Sequence, residues 1–184
     1  MPSSERLPPI TDRSDVPAGD RHHYDAIEDS RGGVRGPFSV LLHSPEVAGR
    51  IGHLGAYIRF EGELSDTSRE TAILTTARAW ECAFEWAAHA PIAEEAGVAG
   101  EVIDLIAQEA DVASLNEPER TIITYARELL ETNRVDDETY ETALERFGES
   151  GVVELTATIG YYSMIACVLN AFDVRPEAGT PSFE

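Results

Sequence analysis

The chain has 184 residues, of which 42% are hydrophobic, so its composition excludes wholesale disorder and fits a domain with a sizeable core. Asp and Glu number 34 against 14 basic residues, all of them Arg, and the formal net charge is −20. Such a surface repels phosphate backbones and anionic lipids, which excludes nucleic acid and a membrane surface as partners. An acidic, lysine-free composition is typical of a protein from a salt-rich cytoplasm.

The distribution of cysteine and of apolar residues predicts a cytoplasmic protein. Only two cysteines occur, Cys82 and Cys167, too few for a disulfide framework. The first residues contain no apolar run that would suit a signal peptide. Residues 155–172 lack charge, but their Thr, Ser, Tyr and Asn side chains favour a buried core or subunit-interface helix over a membrane span.

The chain divides by composition into three parts. Residues 1–30 are rich in turn-formers and charges with little periodicity, which predicts an extended or disordered N-terminal arm. Residues 31–175 carry helical patterns and form the predicted domain, and residues 176–184 form a C-terminal tail. His22 and His23 lie in the predicted arm, where we expect solvated side chains.

Helical spacing of apolar residues continues through the predicted domain, taken in chain order. Short apolar turns after Pro37 precede a helix that starts at Ser44 and Pro45, an order typical of an N-cap and first helical residue. Further helices are predicted after Ser65, over 82–96 with Pro91 kinking or splitting it, over 101–106, from 116, over 136–147 and over 151–172. No strand-like alternation survives, so the predicted class is all-α.

The stretch Trp80 to His89 contains the residues most suited to chemistry. At about 100° per residue, Cys82, Glu85 and His89 fall on one narrow stripe of a helix. Glu85 lies four residues before His89, which places its carboxylate within reach of the imidazole and suits general acid–base catalysis. The alternative is an exposed ion pair beside a cysteine that only fills the core.

Glu70 lies on the apolar side of the preceding helix, with Ile73 and Ala77. A carboxylate there costs free energy unless it has a partner or a function. We expect either a catalytic role or a salt bridge, for example to Arg78.

These motifs, in order, resemble the carboxymuconolactone decarboxylase-like family, whose superfamily also contains alkylhydroperoxidase D. The resemblance rests on Arg35-Gly36-Pro37-Phe38, His43-Ser44-Pro45-Glu46, Arg69-Glu70 and Glu85-Trp86-Ala87-Ala88-His89. It implies a single helical domain of the alkylhydroperoxidase D type, assembled into trimers or hexamers with active sites near subunit contacts.

The resemblance also assigns roles to the site residues. The peroxidase branch has Glu followed by Cys-x-x-Cys-x-x-x-His, and here Glu70, Cys82 and His89 match while Glu85 replaces the second cysteine. Dithiol turnover then requires Cys167 to lie beside Cys82, with Cα atoms within about 7 Å. A Glu four residues before the His is the decarboxylase arrangement, which favours that branch.

The predicted function is cofactor-independent decarboxylation or proton transfer on a small carboxylated lactone or unsaturated acid. His89, oriented by Glu85, acts as general acid, Glu70 donates a second proton or positions the substrate, and Phe84 and Trp86 line the pocket. No metal or other cofactor is expected. The alternatives are a thiol-dependent peroxidase that uses Cys82 and a non-catalytic helical assembly protein.

Overall fold

A computed structural model describes residues 6–183 of the chain. Within these residues the regular structure is helical and contains no β-strand, as predicted. After a short 3-10 helix at Arg13–Asp15, the helices are α1 (Arg21–Arg31), α2 (Pro37–Leu41), α3 (Pro45–Phe60), α4 (Asp66–Ala79), α5 (Ala83–Ala96), α6 (Gly100–Ala107), α7 (Glu119–Thr132) and α8 (Asp137–Phe172).

The helices divide into two compact units. Residues 6–62 and 167–175 belong to the first unit, and residues 63–166 and 176–183 belong to the second. Helix α8 contributes to both units, because the boundary at 166–167 falls inside it. The predicted helical domain over residues 31–175 and the tail over residues 176–184 stay predictions.

The prediction of an extended or disordered arm over residues 1–30 is wrong for residues 21–30, which form α1 in the first unit. Tyr24 and Ile27 are buried on one side of this helix, and Gly32 ends it in the left-handed conformation, with φ 70°. Two apolar residues spaced three apart are a weaker helical pattern than the longer helices carry. The charged residues of α1 therefore hid the helix from the sequence analysis. Residues 1–5 lie outside the described residues.

Helix α1 packs closely against α3 because two glycines of α3 leave room for it. A Cβ atom at Gly49 would lie 2.1 Å from Nδ1 of His23, and one at Gly52 would lie 3.2 Å from Ile27. His23 is therefore a packed side chain whose Nε2 lies 3.1 Å from Glu46, not the solvated one that we predicted.

Helix α4 lies at the centre of the second unit and packs against α5, α6 and α7. Leu74 belongs to an apolar cluster that also contains Trp86 and residues of α6, whereas Ala72 belongs to a second cluster with residues of α7 and α8. Burial of a side chain such as Leu74 contributes about 1.5–3 kcal/mol to folding. The central helix is thus fixed from two sides.

The starts of α3 and α4 and the end of α5 agree with the sequence. Ser44 and Ser65 are the N-caps, and the Ser65 hydroxyl accepts a hydrogen bond from the Ser68 N–H. Helix α5 ends at Gly97 with φ 94°, which is favourable for glycine. Pro91 lies inside α5 and does not split it, and the predicted alternative, a kink, stays a prediction.

Helix α8 contains a break at Gly148, whose φ of 69° and ψ of 178° are not helical. The predicted division into an acidic segment before Gly148 and an apolar segment after it is therefore present. Among the described residues, α8 is long and apolar enough to cross a membrane, but half of its apolar window is buried inside the protein. A core helix of this kind meets the same criterion, so the finding does not indicate a membrane protein.

The conformation of Gly148 gives a test of the fold. Gly148→Ala should lower the free energy of unfolding by about 1–3 kcal/mol, because a side chain disfavours this backbone region. Gly160→Ala on the same helix is the matched control. A Cβ there contacts nothing within 4 Å, so we expect an unchanged or slightly higher stability, by about 0.5–1 kcal/mol. Urea unfolding of both variants measures the difference, and equal midpoints would contradict the break.

Candidate active site

A tight turn connects α4 to α5 and brings the two helices side by side. The Cys82 N–H bonds back to the Ala77 carbonyl oxygen at 2.8 Å, and Glu81 adopts a positive φ of 47° between them. Cys82 is the N-cap of α5, which agrees with its predicted position near the start of a helix. The turn places the inner sides of α4 and α5 against each other.

Glu70 and His89 meet across these two helices. Oε2 of Glu70 lies 2.7 Å from Nδ1 of His89, and the relative exposures of the residues are 1% and 5%. With Glu70 ionised, the imidazole Nδ1–H donates to the carboxylate, which leaves Nε2 as the nitrogen that exchanges a proton. The structure therefore pairs Glu70 with His89 and not with Arg78, which binds Glu109 and the Ala107 carbonyl oxygen.

Glu85 lies on the other side of the imidazole. Its Oε2 is 3.5 Å from Nε2 of His89, within the range of an ion pair but longer than the contact with Glu70. From the sequence we predicted that Glu85 orients the imidazole of His89. In the structure the shorter of the two contacts is the one with Glu70. Because Glu70 comes from a neighbouring helix, no spacing along α5 could reveal it.

Arg69 adds a positive charge beside Glu70. Its Nε lies 3.6 Å from Oε1 of Glu70, and its Nη2 donates to Asp66 at 2.8 Å. The sequence included Arg69 only as part of a motif and gave it no role. Its position one residue before Glu70 was the available signal, because buried carboxylates are normally paired.

The two cysteines lie in different units, and neither forms a disulfide. Cys82 has no exposed surface and belongs to the second unit with Glu70, Glu85 and His89. Cys167 is exposed. The catalytic role of Cys82 stays a prediction.

The two aromatic residues predicted to line a pocket differ in burial. Trp86 is 2% exposed and belongs to the same apolar cluster as Leu74. Its ring packs edge-on against Phe183, with ring centroids 5.5 Å apart. Phe84 is half-buried. Their role in substrate binding stays a prediction.

Tyr162 of α8 is a site neighbour that the sequence did not suggest. Its ring stands edge-on to the His89 imidazole, with centroids 5.1 Å apart. The contact joins residues far apart in sequence, and the uncharged stretch around Tyr162 carried no sign of it. Tyr162 therefore packs against the imidazole of His89.

No group of three or more His, Cys, Asp or Glu residues within positions 6–183 is arranged to hold a metal ion. What the site does contain is an imidazole between two carboxylates, with a guanidinium and a thiol on the same pair of helices. Such an arrangement can accept, hold and deliver a proton.

The chain resembles several solved structures over nearly its whole length. The first is the alkylhydroperoxidase AhpD core of an uncharacterized peroxidase-related protein from Ralstonia eutropha JMP134 (TM-score 0.78, 19% identity, 97% of this chain and 95% of that chain). The second is an uncharacterized peroxidase-related protein from Silicibacter sp. TM1040 (TM-score 0.72, 15% identity, 100% of both chains). A third is the debrominase Bmp8, solved as a Cys-to-Ala variant with 2,3,4-tribromopyrrole (TM-score 0.71, 19% identity, 95% of both chains).

At these identities the structural likeness establishes the fold alone. No curated protein sequence matches the chain. The model of the Carboxymuconolactone decarboxylase family matches residues 45–128, a range that contains Glu70, Cys82, Glu85 and His89. Residues 45–128 are thus similar to the carboxymuconolactone decarboxylase family, and the fold of the chain is that of the alkylhydroperoxidase D-like structures.

Proposed function

We propose that the protein is a cofactor-independent decarboxylase of a small carboxylated lactone or related unsaturated acid, with His89 as the proton donor. The observation that carries this proposal is the buried imidazole between Glu70, at 2.7 Å, and Glu85, at 3.5 Å. The match of residues 45–128 to the decarboxylase family model supports the same chemistry.

The reaction needs a proton at carbon and a route for electrons. Breaking the bond to the carboxylate releases carbon dioxide and leaves its electron pair on the substrate, where a conjugated carbonyl delocalises it as an enolate. A proton from Nε2 of His89 then adds to carbon, so the substrate exchanges CO₂ for H⁺. Proton transfer by a positioned side chain contributes roughly 10²–10⁴-fold to such a step.

The two carboxylates have different parts in this scheme. Glu70 accepts the Nδ1–H bond, holds the ring in place and stabilises the imidazolium before it gives up its proton. Glu85, near Nε2, takes up a proton from solvent and passes it to that nitrogen between turnovers, which replaces the proton that the substrate consumed. Tyr162 packs against the ring and helps keep it in one orientation.

Composition and the family resemblance suggest the oligomeric state of the protein and the compartment in which it acts. We propose a homo-oligomer, a trimer or hexamer, that acts in the cytoplasm on a small molecule. The acidic surface and the apolar α8 are compatible with this proposal.

Loss of the proton donor should abolish most of the activity. We expect His89→Ala and Glu85→Gln to lower the rate of CO₂ release from 4-carboxymuconolactone by roughly 10²-fold or more. His53→Ala, which alters an exposed histidine of the first unit, is the matched control and should retain the parent rate. Equal rates for His89→Ala and the parent protein would remove His89 from the mechanism, and a parent protein that releases no CO₂ would contradict decarboxylation itself.

A second candidate function is thiol-dependent reduction of hydroperoxides by Cys82. Cys82 begins α5, where the partial positive charge of a helix N-terminus stabilises a thiolate. Two of the similar structures are peroxidase-related proteins, and the debrominase complex contains a cysteine replaced by alanine. In this reaction the thiolate attacks the terminal peroxide oxygen, giving an alcohol and a sulfenic acid that an external thiol must reduce.

The second candidate has its own test. Consumption of cumene hydroperoxide with dithiothreitol as reductant should fall to the rate of buffer in Cys82→Ser and persist in Cys167→Ser, which removes the other thiol. Consumption that is the same in Cys82→Ser and the parent protein would end this candidate. A protein inactive in both this assay and the CO₂ assay would instead fit the non-catalytic assembly.

A further inference from the structure

We propose that helix α3 packs antiparallel against α3 of a second copy of the chain, across a two-fold axis. The inference rests on the homo-oligomer proposed above, and not on the reaction, and it names the surface through which two copies meet. It starts from the outer side of α3, where large apolar side chains face solvent. Four of them are between 42% and 59% exposed: Val47, Leu54, Tyr57 and Phe60. An apolar patch of this kind on a folded protein marks a surface that another molecule covers.

The other large apolar side chains that are this exposed among residues 6–183 do not form such a group. They are Trp80, Tyr140 and Val153, which are isolated along the chain, whereas the four exposed residues of α3 occur within 14 positions of one helix. Single apolar side chains on a surface are normal and need no partner. The concentration on α3 is therefore the feature that points to an interface.

The order of residues along this side of α3 is complementary to itself when it is reversed. At about 100° per residue, Arg50, Leu54, Tyr57 and Glu61 fall within a sector of about 60°. All four are exposed, and Glu61 is the C-cap of the helix. Their spacing of four, three and four residues is the repeat by which helices pack lengthwise. An arginine thus stands at one end, a glutamate at the other, and two apolar side chains stand between them.

A two-fold axis midway between Leu54 and Tyr57 brings complementary residues together. Leu54 of one copy then lies opposite Tyr57 of the other, Arg50 lies opposite Glu61, and each contact occurs twice. The central contacts remove apolar surface from water, and the outer contacts join opposite charges. Within one chain, Arg50 and Glu61 are separated by about 16 Å along the helix axis, so they cannot pair with each other.

The charge of the chain explains why this surface fits a second copy. Each copy has a net charge of −20, so two copies repel one another over most of their surfaces. The described residues of the second unit include 23 acidic residues and six arginines, whereas those of the first unit include nine acidic residues and eight arginines. Within residues 6–183, α3 is the one α-helix with more basic than acidic residues, two against one. Repulsion between two copies is therefore small at this helix.

Arg50 remains open to a carboxylate from outside its own chain. It pairs with Glu46 at 2.6 Å, but the two side chains are 79% and 63% exposed, so solvent still reaches the guanidinium. A partner of different sequence would have to supply a carboxylate and a guanidinium at the spacing of Arg50 and Glu61, with apolar residues between them. A second α3 supplies this set without any further requirement.

Tyr57→Glu should separate the two copies, because it places a carboxylate at the centre of the apolar contact. The dissociation constant of the pair should rise about 30-fold or more, the loss typical of a central aromatic side chain at an interface. The mass of the full chain, measured by sedimentation equilibrium at fixed ionic strength, should fall to half that of the parent protein. A dimer would become a monomer of 20.1 kDa, and a hexamer would become a trimer.

Tyr140→Glu is the matched control for this measurement. Tyr140 is 44% exposed, against 42% for Tyr57, and it lies among the acidic residues of α8. It should keep the parent mass, and circular dichroism shows whether each variant folds. A parent protein that is a trimer would overturn the α3 pair and leave the proposed homo-oligomer standing, whereas a monomer would overturn both, even if Tyr57→Glu fails to fold. Equal masses for folded Tyr57→Glu and the parent protein would also overturn the pair, whatever the CO₂ assay gives.

Charge reversal tests which residues face each other. Arg50→Glu and Glu61→Arg should each raise the dissociation constant about tenfold or more, because each places like charges opposite one another at both ends of the contact. An equimolar mixture should regain the parent mass, since one copy then presents two glutamates to the two arginines of the other. Variants that separately keep the parent mass, or a mixture that stays at half of it, would overturn the proposed pairing.

Discussion

The hydrogen bond between Glu70 and His89 is the interaction on which the rest of the site depends. It joins α4 to α5 at 2.7 Å in an interior that excludes water from both side chains. Removal of one partner from a buried pair of this kind typically costs about 3–5 kcal/mol, because the other group keeps its polarity and loses its partner. Chemistry and packing therefore constrain the same two residues, and neither can change alone.

Three buried threonines share helix α4 with Glu70 and are satisfied within the helix itself. The hydroxyls of Thr71, Thr75 and Thr76 each donate to the backbone carbonyl oxygen four residues earlier, at 2.8 Å. The three hydroxyls therefore use their donors inside α4 and not on Glu70.

The elements that the sequence predicted well are those whose signal is local. The capping residues Ser44 and Ser65 and the terminating Gly97 depend on a few neighbouring residues, and each lies where its helix starts or ends. Helix α1 was missed because only Tyr24 and Ile27 mark its buried side.

The sequence predicted which residues belong to the site better than it predicted which of them contact each other. The stripe of Cys82, Glu85 and His89 follows from helical periodicity, and Glu70 follows from its apolar neighbours. The partner of each group depends on tertiary packing, which sequence spacing does not encode. For that reason the short contact was assigned to Glu85, and neither Arg69 nor Tyr162 received a role.

The two tryptophans flank the turn between α4 and α5 and differ sharply in environment. Trp80 is 40% exposed, whereas Trp86 is 2% exposed and touches Phe183 near the C-terminus. Because these are the chain's two tryptophans, its fluorescence has one component from a solvent-exposed indole and one from a buried indole. A soluble quencher such as acrylamide reaches the first and not the second, so light emission alone can report when the helix that carries His89 opens to solvent.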